Sequence, residues 1–550
     1  GARYVGDPTY AEGAGVLVKS SNNYIGPDKQ FGLGNYIKQN KKGGVIVDGG
    51  VKNRITYNYF YNNDISKGKP TNFAIALVNS GNNGKQKPAI TANKWISGKL
   101  HLYGTNNGIA GDSIHVYLGT GGYEEVSKYL GYIDSKAGGN WEVVVDTSIV
   151  KIAPRTTLYL VATATDANRN TSPLSDMYIM GDCYITSLKD TTDNNYPLPN
   201  TMRMAMKCAN GQSNAVGVYF NVAQGGAKEV ELQMKMQDLN NHYGVYFDGK
   251  NIPDGNIASM NAQNMNITSW TIASTNAKSS INNFSIVHAQ NGLELLSDSI
   301  LVNNLEFDRI KGVGILVSNK QNTIQSCVFD SLSIGVQPAS NAVKTVLTGN
   351  TFNQTTTAVE AANLDSLTVA GNTFNKNVLT GIDISQSTHA AIYANTFNST
   401  ISNSKSINWD NSKGLINGNT FTARNVQNPV AISNASNFEV KNNSFNDSAY
   451  VYLSVSNSSK GLIDSNSFSI ARQNSIQTNA VQHISIIGND VSKSQGDAFD
   501  LLSSSTVFVS KNIVTQVRYT SKTDSALCIN IHKGGTVQSN NGKAEPKNLS

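Results

Sequence analysis

Between Thr348 and Asn512 the chain repeats one short phrase: Asn350-Thr351-Phe352, Asn372-Thr373-Phe374, Asn395-Thr396-Phe397, Asn419-Thr420-Phe421, Asn443-Ser444-Phe445 and Asn466-Ser467-Phe468. The lead asparagines stand 22, 23, 24, 24 and 23 residues apart. Asn489-Asp490-Val491 and Asn512-Ile513-Val514 continue the count by 23 and 23, with a β-branched residue in place of Phe. A period this constant is read before any local motif, because it fixes the architecture. Within each repeat, short apolar alternations such as Leu367-Thr368-Val369 and Gly381-Ile382-Asp383-Ile384 are separated by Asn, Ser, Thr and Gly. This is strand patterning with turn punctuation, and no segment of the repeat is long enough for an amphipathic helix. The leucine spacing and helical segment of a leucine-rich repeat are absent, which leaves the coil of a right-handed parallel β-helix. Its coils stack about 4.8 Å apart, so equivalent positions form ladders. The Phe of each phrase is expected inside the coil. Its Asn either bridges coils through side-chain amides or takes the left-handed turn that Asn tolerates. About ten or more coils are expected after residue 179.

Composition agrees with an all-β solenoid. Only 15% of the 550 residues are charged and 47 are Gly, while no long charge run points to disorder. The net charge of +6 comes from scattered Lys and Arg, as on an ordinary solvated surface, so nucleic acid is not an expected partner. No run of apolar residues is long enough to span a membrane, and Gly1-Ala2-Arg3-Tyr4 lacks signal-peptide anatomy, as expected of a mature form or a fragment. The four cysteines, Cys183, Cys208, Cys327 and Cys528, have no metal-binding spacing and leave the redox compartment open. Cys327 occupies the ladder slot of an Asn and is expected to be buried.

Read in order, residues 1–87 supply coil strands at Gly15-Val16-Leu17-Val18, Gly44-Val45-Ile46-Val47 and Phe73-Ala74-Ile75-Ala76-Leu77. Asn35-Tyr36-Ile37 and Asn58-Tyr59-Phe60 repeat the Asn phrase 23 residues apart. So few coils rarely stand alone, and something should cover them. From residue 88 to 178 the strands lengthen, as in Ser113-Ile114-His115-Val116-Tyr117-Leu118 and Thr157-Leu158-Tyr159-Leu160-Val161-Ala162-Thr163-Ala164, which predicts a β-sandwich. A helix is expected near residues 200–210, capped by Asn200, with Met202, Ala205, Met206 and Ala209 on its apolar face and Arg203 and Lys207 outward. The expected domains are coils at 1–87, a sandwich at 88–178 and a second β-helix at 179–550 that this helix caps, the alternative being a single β-helix interrupted by an inserted sandwich.

Two resemblances join these readings. The segment Ala164-Thr165-Asp166-Ala167-Asn168-Arg169-Asn170-Thr171-Ser172 resembles the last strand of immunoglobulin-like modules in bacterial surface proteins. The series Met202-Arg203-Met204-Ala205, Ala209-Asn210, Phe220-Asn221-Val222 and Phe247-Asp248-Gly249 resembles the opening of β-helix modules in large bacterial exoproteins, with Met202 where Leu is usual. The resemblances imply an immunoglobulin-like β-sandwich between two β-helical segments, at a cell surface or outside the cell.

Stepping by about one period from Asp383 gives an outward column: Glu294, Leu316, Gln337, Glu360, Asp383, Asn408, Ala431, Ser454, Gln477 and Asp500. Glu360 and Asp383 are its adjacent acids. Such a pair can act as acid and base or hold Ca²⁺, or can be ordinary solvated carboxylates. No other cofactor is expected. Asp308-Arg309-Ile310-Lys311 echoes the Arg-x-Lys of polygalacturonases, whose paired-Asp and Gly-His-Gly segments are missing. Histidines are dispersed, with His101 and His115 on expected sandwich strands. Tyr57, Tyr59 and Tyr61 alternate on one strand, where they can stack on sugar rings or pack against the sandwich.

Two functions fit: a non-catalytic surface or secreted protein of structural or adhesive kind, or a secreted polysaccharide lyase or glycoside hydrolase. Polysaccharides or cell-surface glycans are the expected partners. End-to-end self-association near Val507-Phe508-Val509 and Leu527-Cys528-Ile529 is a further expectation.

Overall fold

The computed structural model describes residues 13–27, 34–40, 42–61, 63, 74–96, 99–119, 126–145, 157–191, 198, 200–212, 214–226, 228–263, 265–273, 278–515, 517, 529–532 and 537–539. The chain divides into two compact units, Gly1–Ala223 and Gln224–Ser550.

The second unit is a parallel β-helix. One column of register partners runs Val230, Met260, Ile286, Phe307, Phe329, Phe352, Phe374, Phe397, Phe421, Phe445, Phe468, Val491 and Val514, which meets the expected coil number. From Phe307 to Phe468 the rings are buried and stacked, with successive centroids 4.5–5.1 Å apart. The ring spacing equals the coil rise, so the coil period itself sets up offset stacking.

Beside the rings runs an internal amide ladder. Asn350 donates from its backbone N and from Nδ2 to Asn372 Oδ1, both at 2.9 Å, and Nδ2 also donates to Ile324 O. The same link repeats through Asn395, Asn419, Asn443, Asn466, Asn489 and Asn512. Cys327 holds the next slot, and its N donates to Asn350 Oδ1 at 2.9 Å. Of the two roles open to Asn, bridging is the one taken. The left-handed position falls one residue earlier, at Gly349, Gly371, Ala394, Gly418, Asn442, Ser465, Gly488 and Lys511. A buried amide has four hydrogen-bonding sites to satisfy, and the bridging geometry supplies partners from the coils before and after.

In the first unit, Val16–Val18, Val45–Asp48 and Ile75–Val78 form a parallel ladder, and Tyr36–Lys38 pairs with Tyr59–Tyr61. The sandwich follows as two antiparallel sheets. One orders Lys128–Asp134, Ser113–Leu118, Leu158–Thr165 and Tyr178–Met180; the other orders Asn140–Val145, Lys99–Thr105 and Ala89–Ile96. Their inner faces share Leu100, Leu102, Ile114, Val116, Trp141, Val143, Leu160 and Ala162. Tyr117 and Val161 on the outer face of the larger sheet, and Val126 just before it, join the core of the coils beside Val45, Val47, Ile55 and Phe60. Phe60 and Val126 exchange both backbone hydrogen bonds, at 3.1 and 2.9 Å. The sandwich is therefore the cover that so few coils require, and Leu158–Thr165 is buried at every position because both of its faces are covered.

Several local expectations are corrected. The helix is Met202–Gly211, and its cap is Thr201, whose Oγ1 accepts from Met204 N; Asn200 instead has φ 61° and uses its carbonyl to accept from Thr186 N and Ser187 N. Arg203 is not outward but fully buried: Nε donates to Asp190 Oδ1 at 2.5 Å and Nη2 to Asp190 Oδ2 at 2.9 Å. Lys207 is half-buried, which lowers its pKa. The helix packs on Cys183–Ile185 and Val216–Phe220 and is tied to the former by the Cys183–Cys208 disulfide. Val507–Val509 offers no free edge for docking, since Ser505–Ser510 pairs with Gln482–Ile487 on one side and Val537–Ser539 on the other. Leu527 and Cys528 lie outside the described residues.

Candidate functional site

The ring column dictates what faces solvent beside it, because side chains alternate along a strand. Each buried Phe of the column is followed by a polar residue: Asp308, Asp330, Asn353, Asn375, Asn398, Thr422, Asn446 and Ser469. Asp308 and Asp330 are register partners, as are Asp330 and Asn353. Gln354 has φ 42°, so the chain turns directly after Asn353. In the next coil Asn375 N donates to Phe352 O at 2.9 Å, and Asn375 Nδ2 donates to Asn353 Oδ1 at 2.6 Å. The turns leave a cleft of about 320 Å³ lined by Asp330, Asn353, Gln354, Asn375, Lys376, Asn377 and Asn398. Asp330 Oδ1 accepts from Ser331 Oγ at 2.9 Å, and one coil away Arg309 pairs with Asp308 at 2.7 Å. One carboxylate, one ammonium and five amides make the lining formally neutral and rich in paired donors and acceptors.

The sequence column of acids is in the expected register. Glu294, Leu316 and Gln337 follow in successive coils, Glu360 partners Asp383, and the line continues through Asn408, Ala431, Ser454, Gln477 and Asp500. Glu360 and Asp383 are thus one coil apart, and each accepts from an amide of the coil on its far side. Gln337 Nε2 donates to Glu360 Oε1 at 3.3 Å, and Asn408 Nδ2 donates to Asp383 Oδ1 at 2.8 Å. Neither residue lines the cleft. Among the described residues no three His, Cys, Asp or Glu side chains gather as a metal would require. The Asp308-Arg309-Ile310-Lys311 segment places Asp308 beside Asp330, an adjacency that the phrase Phe-Asp at 307–308 and 329–330 spells out in the sequence.

The tyrosines separate. Tyr57 has φ 57°, which breaks strand alternation and turns it from the face of the other two. Its ring lies edge-on to Tyr129 at 4.7 Å and to His115 at 5.3 Å, and its N donates to Tyr117 Oη at 3.4 Å. It is a packing residue of the sandwich junction. Tyr59 stacks on Tyr36 at 4.6 Å, and Tyr36 and Tyr61 are 61% and 51% exposed. His101 Nδ1 meets Glu142 Oε1 at 2.7 Å, a cross-strand pair.

His115 beside Tyr57 has a consequence for pH. It is 3% exposed, and burial first, then the Arg54 charge, pull its pKa from 6.5 to about 4 against the opposing charge of Asp134. Between these values the unfolded chain takes up a proton that the folded chain refuses. Stability is therefore expected to fall by about 3 kcal/mol as pH drops from 7 to 4, with no further loss from this group below. Urea midpoints at several pH values check this, and His115→Gln should flatten that part of the profile.

Residues 380–543 match the family model described as right handed beta helix region. No curated protein sequence matches the chain. Among solved structures, the chain is similar to PfbA, a surface adhesin of Streptococcus pneumoniae, at 12% identity and a TM-score of 0.42, covering 59% of this chain and 93% of that one. Tailspike protein 3 of bacteriophage CBA120 is similar at 10% identity and a TM-score of 0.43, covering 82% and 78%. DFA-IIIase from Arthrobacter chlorophenolicus A6, in complex with GF2, is similar at 10% identity and a TM-score of 0.41, covering 52% and 89%.

Proposed function

We propose that this chain is a non-catalytic extracellular or cell-surface protein of structural or adhesive kind whose rigid β-helical face binds neutral glycans. The observation that carries this reading is the cleft at Asp330, Asn353, Asn375 and Asn398. Its amides sit on stacked coils and offer donor and acceptor together, the chemistry that sugar hydroxyls require, while its charges cancel. The exposed Tyr36 and Tyr61, with the half-buried Tyr59, supply rings on which a sugar can stack. The Cys183–Cys208 disulfide suits an oxidising location outside the cytosol, and no helix among the described residues is long and apolar enough to cross a membrane. In this reading residues 88–178 are an immunoglobulin-like module between coils 1–87 and a second β-helix at 179–550. Nucleic acid has no part in it, and self-association is confined to edges other than Val507–Val509.

A polysaccharide panel tests the proposal. Binding to neutral glycans without release of reducing or unsaturated ends is expected. Asn353→Ala with Asn375→Ala should weaken it about tenfold or more, the effect of losing one or two good hydrogen bonds. The alternative, a polysaccharide lyase or glycoside hydrolase, is favoured by one observation: Asp330, the carboxylate of the cleft, has a second carboxylate, Asp308, as its register partner one coil away. New chain ends that disappear in Asp330→Asn would establish that reading and overturn the first.

A further inference from the structure

Where the coils lead into the sandwich, a lysine, an aspartate and an asparagine meet out of solvent. Lys85 Nζ lies 2.5 Å from Asp112 Oδ2, with both side chains almost wholly buried. Asn106 Nδ2 donates to the same Asp112 Oδ2 at 2.6 Å. Amine and carboxamide therefore share one carboxylate oxygen. Asn106 is 0% exposed, and its Oδ1 is buried with no hydrogen-bond partner among the described residues. A buried ion pair needs no carboxamide turned toward it, and an orphaned amide oxygen is a standing penalty that the fold retains here.

We propose that Lys85 and Asn106 form an intramolecular isopeptide bond, with Asp112 as the residue that moves the protons. Lys85 passes a proton to Asp112, and the neutral Nζ attacks Asn106 Cγ. The carbonyl oxygen takes up the electron pair of the C=O π bond and returns it as the Cγ–Nδ2 bond breaks. Asp112 protonates the departing nitrogen, and the attacking nitrogen gives its extra proton to the ammonia so released. The products are a secondary amide between Lys85 and Asn106 and one ammonia, which leaves as ammonium and restores the Asp112 carboxylate. No oxidant, reductant or further reactant is consumed.

The surroundings hold all three groups in place, the condition under which an otherwise slow amide exchange becomes effectively unimolecular. Asn106 N donates to Gly139 O at 2.8 Å, and Asn106 Nδ2 also donates to Ile109 O at 3.1 Å. Asp112 N donates to Ser135 Oγ at 3.0 Å, and Ser135 N donates back to Asp112 O at 2.8 Å. Lys85 N donates to Asn82 O, and buried Asn82 is pinned by donation from Nδ2 to Asn53 O and Thr171 O. Exclusion of water keeps hydrolysis of Asn106 from competing. The product would fasten the segment entering the sandwich at Lys85 to the end of the strand Lys99–Thr105, a covalent staple between coils and sandwich.

Intact mass of the full chain, denatured and with its disulfide reduced, decides the matter. The expected value is one ammonia below that of the sequence, with a branched peptide joining Lys85 to Asn106 after proteolysis. Lys85→Arg keeps the positive charge but should show the full sequence mass, as should Asp112→Asn, and both should melt at lower temperature. An unmodified wild-type mass, a deficit of water in place of ammonia, or an ammonia deficit that survives in Lys85→Arg would each overturn the proposal. A cross-link that still forms in Asp112→Asn would overturn the role given to Asp112.

Discussion

Phe397→Ala is expected to destabilise the β-helix by about 3–5 kcal/mol, the range for deletion of a fully buried aromatic side chain. The ring is 1% exposed and lies between Phe374 at 4.5 Å and Phe421 at 4.9 Å, so truncation opens a cavity and breaks two stacks together. Its edge also fills the space above Gly381, where an added Cβ would stand 2.9 Å from Phe397 Cε1. No side chain can grow from Gly381 to close the gap. Stability in a stacked array passes from neighbour to neighbour, so the loss should appear as a lower urea midpoint and as local exchange of amides in the coils on either side. Phe397→Leu should lose much less. Tyr61→Ala, on an exposed ring, is the control, and a Phe397→Ala effect no larger than its effect would show that the rings do not form the core.

Arg203→Ala is expected to be as damaging, at about 3–5 kcal/mol, because it leaves the Asp190 carboxylate buried without its main counter-charge. Both side chains are withdrawn from water, at 0% and 1% exposure, and the two parallel N–H donors of Arg203 match the two oxygens of Asp190. Salt should change this loss little, since buried pairs are poorly screened. Replacing the pair together, as Arg203→Met with Asp190→Leu, should restore much of the stability. Thermal melts of the two single variants and the double variant, read as a cycle, check the expectation. A double variant whose loss equals the sum of the two single losses would mean that the pair is not coupled.

Arg203 also shows where a helical wheel stops being informative. Met202, Ala205, Met206 and Ala209 define one apolar face, and Arg203 falls off it, which makes solvent its natural place for an isolated helix. The chain returns across that other side at Asp190, thirteen positions earlier and with no periodic relation to the helix. Tyr57 is a parallel case. Alternation puts it on a face with Tyr59 and Tyr61, but φ 57° at that one residue turns it toward Tyr129 and His115 of the sandwich.

The period of the Asn-Thr-Phe phrase by itself determined the parallel β-helix, the internal ring column, the amide slot that ends in Cys327 and the register of the outward column from Glu294 to Asp500. It could do so because a solenoid relates each residue to the one a single coil away, so that spacing along the chain is spacing in space. Tertiary structure alone decided whatever joins residues outside that relation. Glu360 and Asp383 are adjacent by the period, but that each accepts from an amide of a further coil, Gln337 or Asn408, is a matter of side-chain packing. The cleft at Asp330 depends on how the turns after Asn353 and Asn375 are shaped, not on their composition. Lys85, Asn106 and Asp112 come from a coil exit and from the ends of two sandwich strands, and only the packing of one against the other brings a buried amine, carboxylate and amide together.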